Sequence, residues 1–418
     1  MSLLRTGIRI AASAAAVAVL GVAFFATLRL GFADRVFHTG TLEGAERAAR
    51  LVPGNASYLA GWAVLLDQSG GSSAASLRAL ERAVAANPRN SSCWIELGLR
   101  AEREGDLAAA ERSLLEAARV DKQYDPRWEL ANFYFRRNDA ENFWLWAGEA
   151  AAVLSGDATP LFRLCWKVSP DAAMILKRAV PNRPPILAKY LGFLLADHHG
   201  EVVEPVALKV LERAGPDELP ALLASCDRLL EAGRVSEALR IWNALCRRKL
   251  VPYPEVEPEK GLSLTNGGWR APPLSHGFDW RIDPPEGVSW PRDEPPPPLR
   301  ITFSGRQPES CEILSQLVPL VPGKRYRLRL RYTVSNIAPQ AGLRWRIFDA
   351  ATNAELAAGS PRSTENQVQE DLRFAAPGGA GLARVALTYQ RALGTTRIEG
   401  SVLLGDATLT FAAPQQEQ

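Results

Sequence analysis

Near residue 250 the hydrophobic pattern changes period, and no single layer of secondary structure can satisfy both halves of the chain. From about residue 40 apolar residues recur at helical spacing, whereas from about residue 262 they alternate. The segments 299–303 (LRITF), 325–332 (RYRLRLRY), 342–348 (GLRWRIF), 371–374 (DLRF), 383–389 (ARVALTY) and 401–411 (SVLLGDATLTF) all follow the period of two, with turn-formers such as VPGKR and APGGAG between them. Six to nine short strands and no intervening helix predict an antiparallel β-sandwich over residues 262–413, leaving 414–418 as a tail. With 418 residues the chain exceeds one ordinary core, so the fold class is multidomain, α then β. The intervening VPYPEVEPEKG (251–261) has prolines that stop helices, and it reads as an extended spacer.

The helical half carries an internal period. Trp94 and Trp128 are 34 residues apart, as are Leu80 and Leu114, and Ala83 and Ala117. Small residues at Gly98 and Ala110 would let two helices approach closely while Trp94 and Leu114 fill the groove. This W…LG…A…A pattern resembles the tetratricopeptide repeat, which implies an α-solenoid over residues 34–250 that binds protein partners. The pattern departs at Asn132 and Trp144, fades over 155–180, and returns at Gly233, Ala238 and Trp242. Three to five recognisable repeats with degenerate pairs between them are expected. Phe143, Trp144 and Trp146 form the candidate partner groove; the same rings could instead wedge irregular repeats together. His198 and His199 beside Gly200 read as a solvated turn, because no third ligand is near.

After a short tail (1–9), residues 10–28 hold no charge and would span about 28 Å as a helix, close to a bilayer's hydrocarbon thickness. Arg5 and Arg9 precede this segment; Arg29 and Arg35 follow it. The balance is narrow, and the expectation is an N-terminus inside with the bulk of the chain exported, on the periplasmic side of an inner membrane. Gly31-Phe32-Ala33 offers a cleavage site for a signal peptide, but the apolar run is long and Arg29 intervenes, so an uncleaved anchor is favoured.

In the sandwich half, the order NGGW, LRITFSG, LSQLVPLVPGKRYRLRLRY, GLRWRIFD, IEGSVLLGDATL resembles the jelly-roll carbohydrate-binding modules with a galactose-binding-like fold. The run Q-x-V-x-L-x-P-G-x-x-Y (316–326) is its most distinctive piece. The resemblance implies a glycan-binding surface and a structural calcium ion. Asp406 matches one calcium position, but Arg270 stands where the other acid belongs, so no metal or other cofactor is expected.

Alternation puts Tyr326, Leu328, Leu330, Trp345 and Ile347 in the core. It sends Arg325, Arg327, Arg329, Arg331, Arg344 and Arg346 to the other side. A neutral glycan would call for rings on that side. Guanidinium instead suits carboxylate, sulfate or phosphate. An anionic polysaccharide is one reading of these arginines, and neutralisation by Glu370, Asp371 and Glu399 is the other. Trp290 is the candidate exposed ring, Trp269 a core residue on a first strand, and Phe278 and Trp280 flank a second.

Catalytic patterns are absent. Four histidines, no nucleophile elbow and no phosphate-binding loop argue against an enzyme. Ser275, His276 and Asp279 are too close in sequence to make a hydrolase triad. A net charge of +3 gives no support to nucleic-acid binding. Cys93, Cys165, Cys226, Cys246 and Cys311 lack metal or disulfide spacing and read as buried thiols, a Cys226–Cys246 bridge being the alternative. The sequence therefore points to a non-enzymatic, membrane-anchored scaffold or accessory protein of cell-envelope or exopolysaccharide assembly. The competing expectation is a purely protein-binding scaffold whose sandwich only packs on the helices.

Overall fold

The computed structural model describes residues 2–197, 199–290, 299–338, 340–359, 368–376, 378–379 and 381–412, with side chains from residue 14 onward. His198 and the tail 414–418 lie outside the described residues, as do the side chains of 1–13. The chain divides into two compact units, Met1–Pro181 and Asn182–Gln418. The division does not fall where the periodicity changes: the last four helices belong with the strands.

The first unit holds α1 (Ser2–Phe37), α2 (Leu42–Leu51), α3 (Ala56–Gln68), α4 (Ser73–Ala86), α5 (Ser91–Arg103), α6 (Leu107–Val120), α7 (Tyr124–Arg136), α8 (Ala140–Ala152), α9 (Thr159–Val168) and α10 (Ala172–Arg178). The pairs α3/α4, α5/α6 and α7/α8 are helical hairpins of tetratricopeptide type. Their close approach depends on Gly98, where a Cβ would stand 2.8 Å from Leu114 Cγ and 3.2 Å from the Ala110 carbonyl. Polar contacts repeat with the period. Arg103 reaches Asp67 across 36 residues, and Arg136 reaches Glu102 across 34. Arg100, only 4% exposed, is matched by Asp67, Glu104, Ser76 and the Ser73 carbonyl. The buried cation is tolerated because Asp67 and Glu104 balance its charge and its two terminal nitrogens are hydrogen-bonded.

α1 runs nine residues past the predicted end of the apolar segment. Its stretch Ala14–Phe37 is long and apolar enough to cross a membrane, and residues 14–32 of it are solvent-exposed in the isolated chain. At its C-terminal end the helix docks on the first hairpin. Ala33 is fully buried, Phe37 packs on Tyr58 at 4.9 Å, and the Tyr58 hydroxyl donates to Asp34 at 3.2 Å. Gly61 makes room for the Phe37 ring, which would lie 2.5 Å from a Cβ there.

The second unit begins with α11 (Pro184–Ala196), α12 (Val203–Leu211), α13 (Leu219–Glu231) and α14 (Val235–Arg247). The repeat spacing persists here. Arg240 pairs with Glu204 across 36 residues, and Arg248 Nη2 donates to the Ala214 carbonyl across 34. Residues 251–261 are no spacer. Val251, Tyr253 and Val256 are buried, and the Asn243 side chain bonds both the N–H and the carbonyl of Val256 at 2.9 Å. The prolines stop the helix but do not carry the chain away from it.

The strands are β1 (Val288–Ser289), β2 (Leu299–Ser304), β3 (Ser310–Pro319), β4 (Arg325–Ser335), β5 (Leu343–Asp349), β6 (Glu355–Ala358), β7 (Val368–Ala375), β8 (Leu382–Gln390) and β9 (Glu399–Phe411). They form a five-stranded sheet, β1-β2-β9-β4-β7, and a four-stranded sheet, β3-β8-β5-β6, with every pairing antiparallel. The two inner faces share one core that includes Trp280, Tyr326, Leu328, Trp345, Ile347 and Tyr389.

Trp269 belongs to that core but not to a strand. It sits in a turn at φ +53°, stacks on Trp280 at 4.8 Å, and donates to the Gly405 carbonyl at 2.8 Å. The distinctive 316–326 run also has a physical role. Gln316, fully buried, donates to the carbonyls of Thr265 and Phe278, and the Tyr326 hydroxyl accepts from the Val321 N–H across the Gly323 turn.

Gly98→Val is expected to cost about 2–3 kcal/mol by overpacking the α5/α6 hairpin. Urea denaturation of the detergent-solubilised protein measures it; an unchanged midpoint would contradict the close approach.

Candidate functional site

The arginines predicted to share one face occupy the outer faces of two different sheets. Arg325, Arg327, Arg329 and Arg331 are on β4 of the five-stranded sheet; Arg344 and Arg346 are on β5 of the four-stranded one. Period-two alternation gives the side of each strand, but it cannot say that two strands belong to opposite layers. Arg346 is also committed locally, to Glu355 at 2.5 Å and to the Phe348 ring at 5.0 Å. Arg344 is exposed.

On the five-stranded sheet the charges concentrate. Arg327 lies directly opposite Arg373 of β7 and Thr410 of β9; Arg329 lies opposite Asp371 and Thr408. Asp371 takes two hydrogen bonds from Arg327 (2.6 and 3.0 Å) and one from Arg329 (3.4 Å), and these guanidinium bonds hold its carboxyl below the usual carboxylate range. Arg331 is 3.8 Å from Asp406, both well exposed. Among the described residues Arg325 and Arg373 form no ion pair.

Of the three acids expected to neutralise this face, only Asp371 does. Glu370 points inward and accepts from the Tyr332 hydroxyl at 2.9 Å, and Glu399 makes no ion pair among the described residues. The five arginines of β4 and β7 thus face two carboxylates, Asp371 and Asp406, with exposed threonines at 408 and 410 between them.

Asp406, the calcium candidate, is a poor metal ligand. Arg331 is beside it, and a point 3.4 Å from its Oδ1 is also 3.7 Å from Arg270 Nε. Trp290 is not the expected open ring: it is half-buried and packs on the sandwich core.

Phe143 is fully buried, at 5.0 Å from Trp144, so it is a core residue. Trp144, 5% exposed, shows an edge to a groove between α8 and α10, and Trp146 is half-buried. His199 pairs with Asp197 at 3.3 Å. Four of the five free thiols are buried; burial lifts Cys93 to about 11 and Cys165 and Cys246 to about 12, so none is a ready nucleophile at neutral pH.

The loop Ser275–Asp279 has a structural task. Its partners come from α13 and α14, which no local pattern in the sequence could disclose. Asp227 of α13 accepts from His276 Nδ1 (2.5 Å), the Gly277 N–H (2.8 Å) and Arg281 (2.7 Å). Trp242 of α14 stacks on Tyr253 and meets Phe278 edge-on, both at about 6 Å. Gly277, at φ +56°, lies under that indole, where a Cβ would be 2.5 Å from the ring. Ser275 Oγ accepts from Ile282, and His276 faces Asp227 rather than Asp279. Asp279 is fully buried and accepts from Tyr253 and Leu274, each at 2.7 Å.

No protein-family model matches the chain, and no curated protein does. Among solved structures, one described as "CBM4 structure and function" is 14% identical, over 36% of this chain and 100% of that one, at a TM-score of 0.29. YrrB, described as a TPR protein with an unusual peptide-binding site, is 12% identical over 51% of this chain and 94% of its own, at 0.24. The enzymatically active domain of tailspike protein 4 from bacteriophage CBA120 is 13% identical over 37% of this chain and 22% of its own, at 0.27. Likenesses of this size carry no functional argument. The fold rests on the hairpins and registers above: a tetratricopeptide-like helical array followed by a carbohydrate-binding-like sandwich.

Burial raises the Asp279 carboxyl above its ordinary value despite its hydrogen bonds. The folded state therefore holds the proton more tightly than the unfolded chain, and stability falls as pH rises past about 3.9. Asp279→Asn removes that titration. The variant is expected to gain stability relative to wild type between about pH 4 and pH 7. Urea midpoints at the two pH values check this, and a relative loss at neutral pH would contradict it.

Proposed function

We propose that the protein is a non-enzymatic, membrane-anchored scaffold of cell-envelope or exopolysaccharide assembly, whose helical array holds protein partners and whose five-stranded sheet grips an anionic glycan. The observation that carries the glycan half is the Arg327–Arg373 pair. Like charges directly opposite across two strands destabilise a sheet. Asp371 is spent on Arg327 and Arg329, leaving Arg373 and Arg325 without a carboxylate. An anion laid along β4 would relieve the repulsion. Successive outward arginines there are about 7 Å apart, a row that suits a repeating carboxylate or sulfate better than a single small ion.

The anchor reading rests on α1. The cleavage site read at Gly31-Phe32-Ala33 is inside a continuous helix, and Ala33 is buried against the first hairpin. Cutting after Ala33 would remove that buried residue and sever the helix just before Asp34 and Phe37, which dock on Tyr58. An uncleaved helix in the membrane with the rest of the chain exported accords with this.

The competing reading is a scaffold whose sandwich only packs on the helices. It gains support from the Asp227 and Trp242 contacts. Those contacts leave the arginine row exposed, so packing alone gives the row no task.

The test is binding of the full-length protein, in detergent, to an immobilised acidic polysaccharide and to a neutral glucan. Acidic binding that weakens steeply with salt is expected. Arg329→Ala with Arg373→Ala should reduce it at least tenfold, and Arg344→Ala should leave it unchanged. Equal binding to the neutral glucan, or loss on Arg344→Ala, would contradict the assignment. The N-terminal peptide of the membrane-extracted protein should still include residues before Ala33.

A further inference from the structure

Near the end of the first unit a short helix interrupts the array and leaves a groove. α6 has 14 residues and α8 has 13, but α10 has only 7. The cause is in the sequence. Pro170 precedes the α10 cap at Asp171, and Pro181 follows the helix, where it disfavours helical backbone at the residue before it. Relative to α8 the helix is six residues short, so about 9 Å of helix that would cover its neighbour is missing.

What the missing turns would have covered is apolar. Trp144, bulky where the repeat calls for a small residue, forms the floor. Leu145 is 56% exposed beside it and Met174 is 42% exposed opposite. Gly148 brings α8 close to the end of α10, where its Cβ would be 3.2 Å from the Arg178 carbonyl. Two adjoining hollows of about 650 and 730 Å³ share Glu141, Trp144, Lys177 and Arg178, making one groove.

The charges around it are not equivalent. Glu149 is engaged by Arg127 at 3.4 Å, and Asp171 caps α10 by accepting from Ala173 and Met174. Glu141 is in the first turn of α8, where the helix end favours negative charge. Lys177 and Arg178 are exposed and form no ion pair among the described residues.

We propose that the α8–α10 groove binds an amphipathic helical segment of a partner protein, its apolar side on Trp144, Leu145 and Met174 and an acidic end at Lys177 and Arg178. The occupant takes the place of the helical turns that α10 lacks, which is helix-in-groove recognition. The assignment deepens the reading of the array as a partner-binding region and rests on it.

The test uses full-length protein in detergent and a phage-displayed library of short helix-forming peptides. Selected peptides should carry apolar residues at i, i+3 and i+4 with acidic residues at one end. Their affinity should fall about tenfold, ~1.4 kcal/mol, in Leu145→Glu and in Met174→Glu. Both positions are exposed, so folding should be retained. Lys177→Glu with Arg178→Glu should weaken the same peptides, and a peptide with its acidic residues changed to Lys should regain binding to that variant. Peptides that bind equally well to all variants would overturn the groove while leaving the array a peptide-binding region. A library yielding no binder to the wild type would overturn both.

Discussion

The second unit is organised around one joint, in which a carboxylate and an indole from two helices seize a loop of the sandwich. Asp227 matches three donors of the loop, and Trp242 lies between Tyr253 and Phe278 over a glycine that alone leaves it room. Bury an indole against two rings and fix the approach with charged hydrogen bonds, and the two elements become hard to separate. The joint lies inside the second unit, which takes in α11 to α14 together with the strands. It also decides the fate of the aromatic loop, whose rings go two ways: Trp269 and Trp280 into the sandwich core, Phe278 to the helices.

With its loop so occupied, the sandwich keeps its outer faces exposed. The five-stranded one carries the arginine row and the four-stranded one carries Arg344 and Arg346, the latter pinned by Glu355. The first unit is built differently. Its apolar faces are covered by neighbouring hairpins, and the contacts of Asp67 with Arg103 and Glu102 with Arg136 mark the same spacing, as in a quasi-one-dimensional stack. A defect in such a stack stays local, so the short α10 opens a groove without dissolving the hairpins before it.

Much of this was legible in the chain. The change of period placed the two fold types, the 34-residue spacing gave the hairpins, and alternation along β4 sorted Tyr326, Leu328 and Leu330 from the arginines between them. What failed depended on partners far away in sequence. Nothing near residue 276 discloses Asp227, so the loop read as two strand ends. Nothing in a period of two says that β4 and β5 lie in opposite layers, so six arginines read as one face. Trp290 read as open because prolines and charges flank it, yet it packs on the core. Residues 251–261 looked like a spacer because proline stops helices, but a stopped helix can still fold back on its own side chains, as Tyr253 does on Trp242.

Joined in this way, α13, α14 and the sandwich form one cooperative body. Native-state hydrogen exchange on full-length wild type and Asp227→Ala tests it directly. Amides of α13, α14, β3 and β8 should lose protection together in the variant, while those of α3 to α8 keep theirs. Loss confined to α13 and α14, with β3 and β8 unchanged, would contradict it and make the sandwich an independent module.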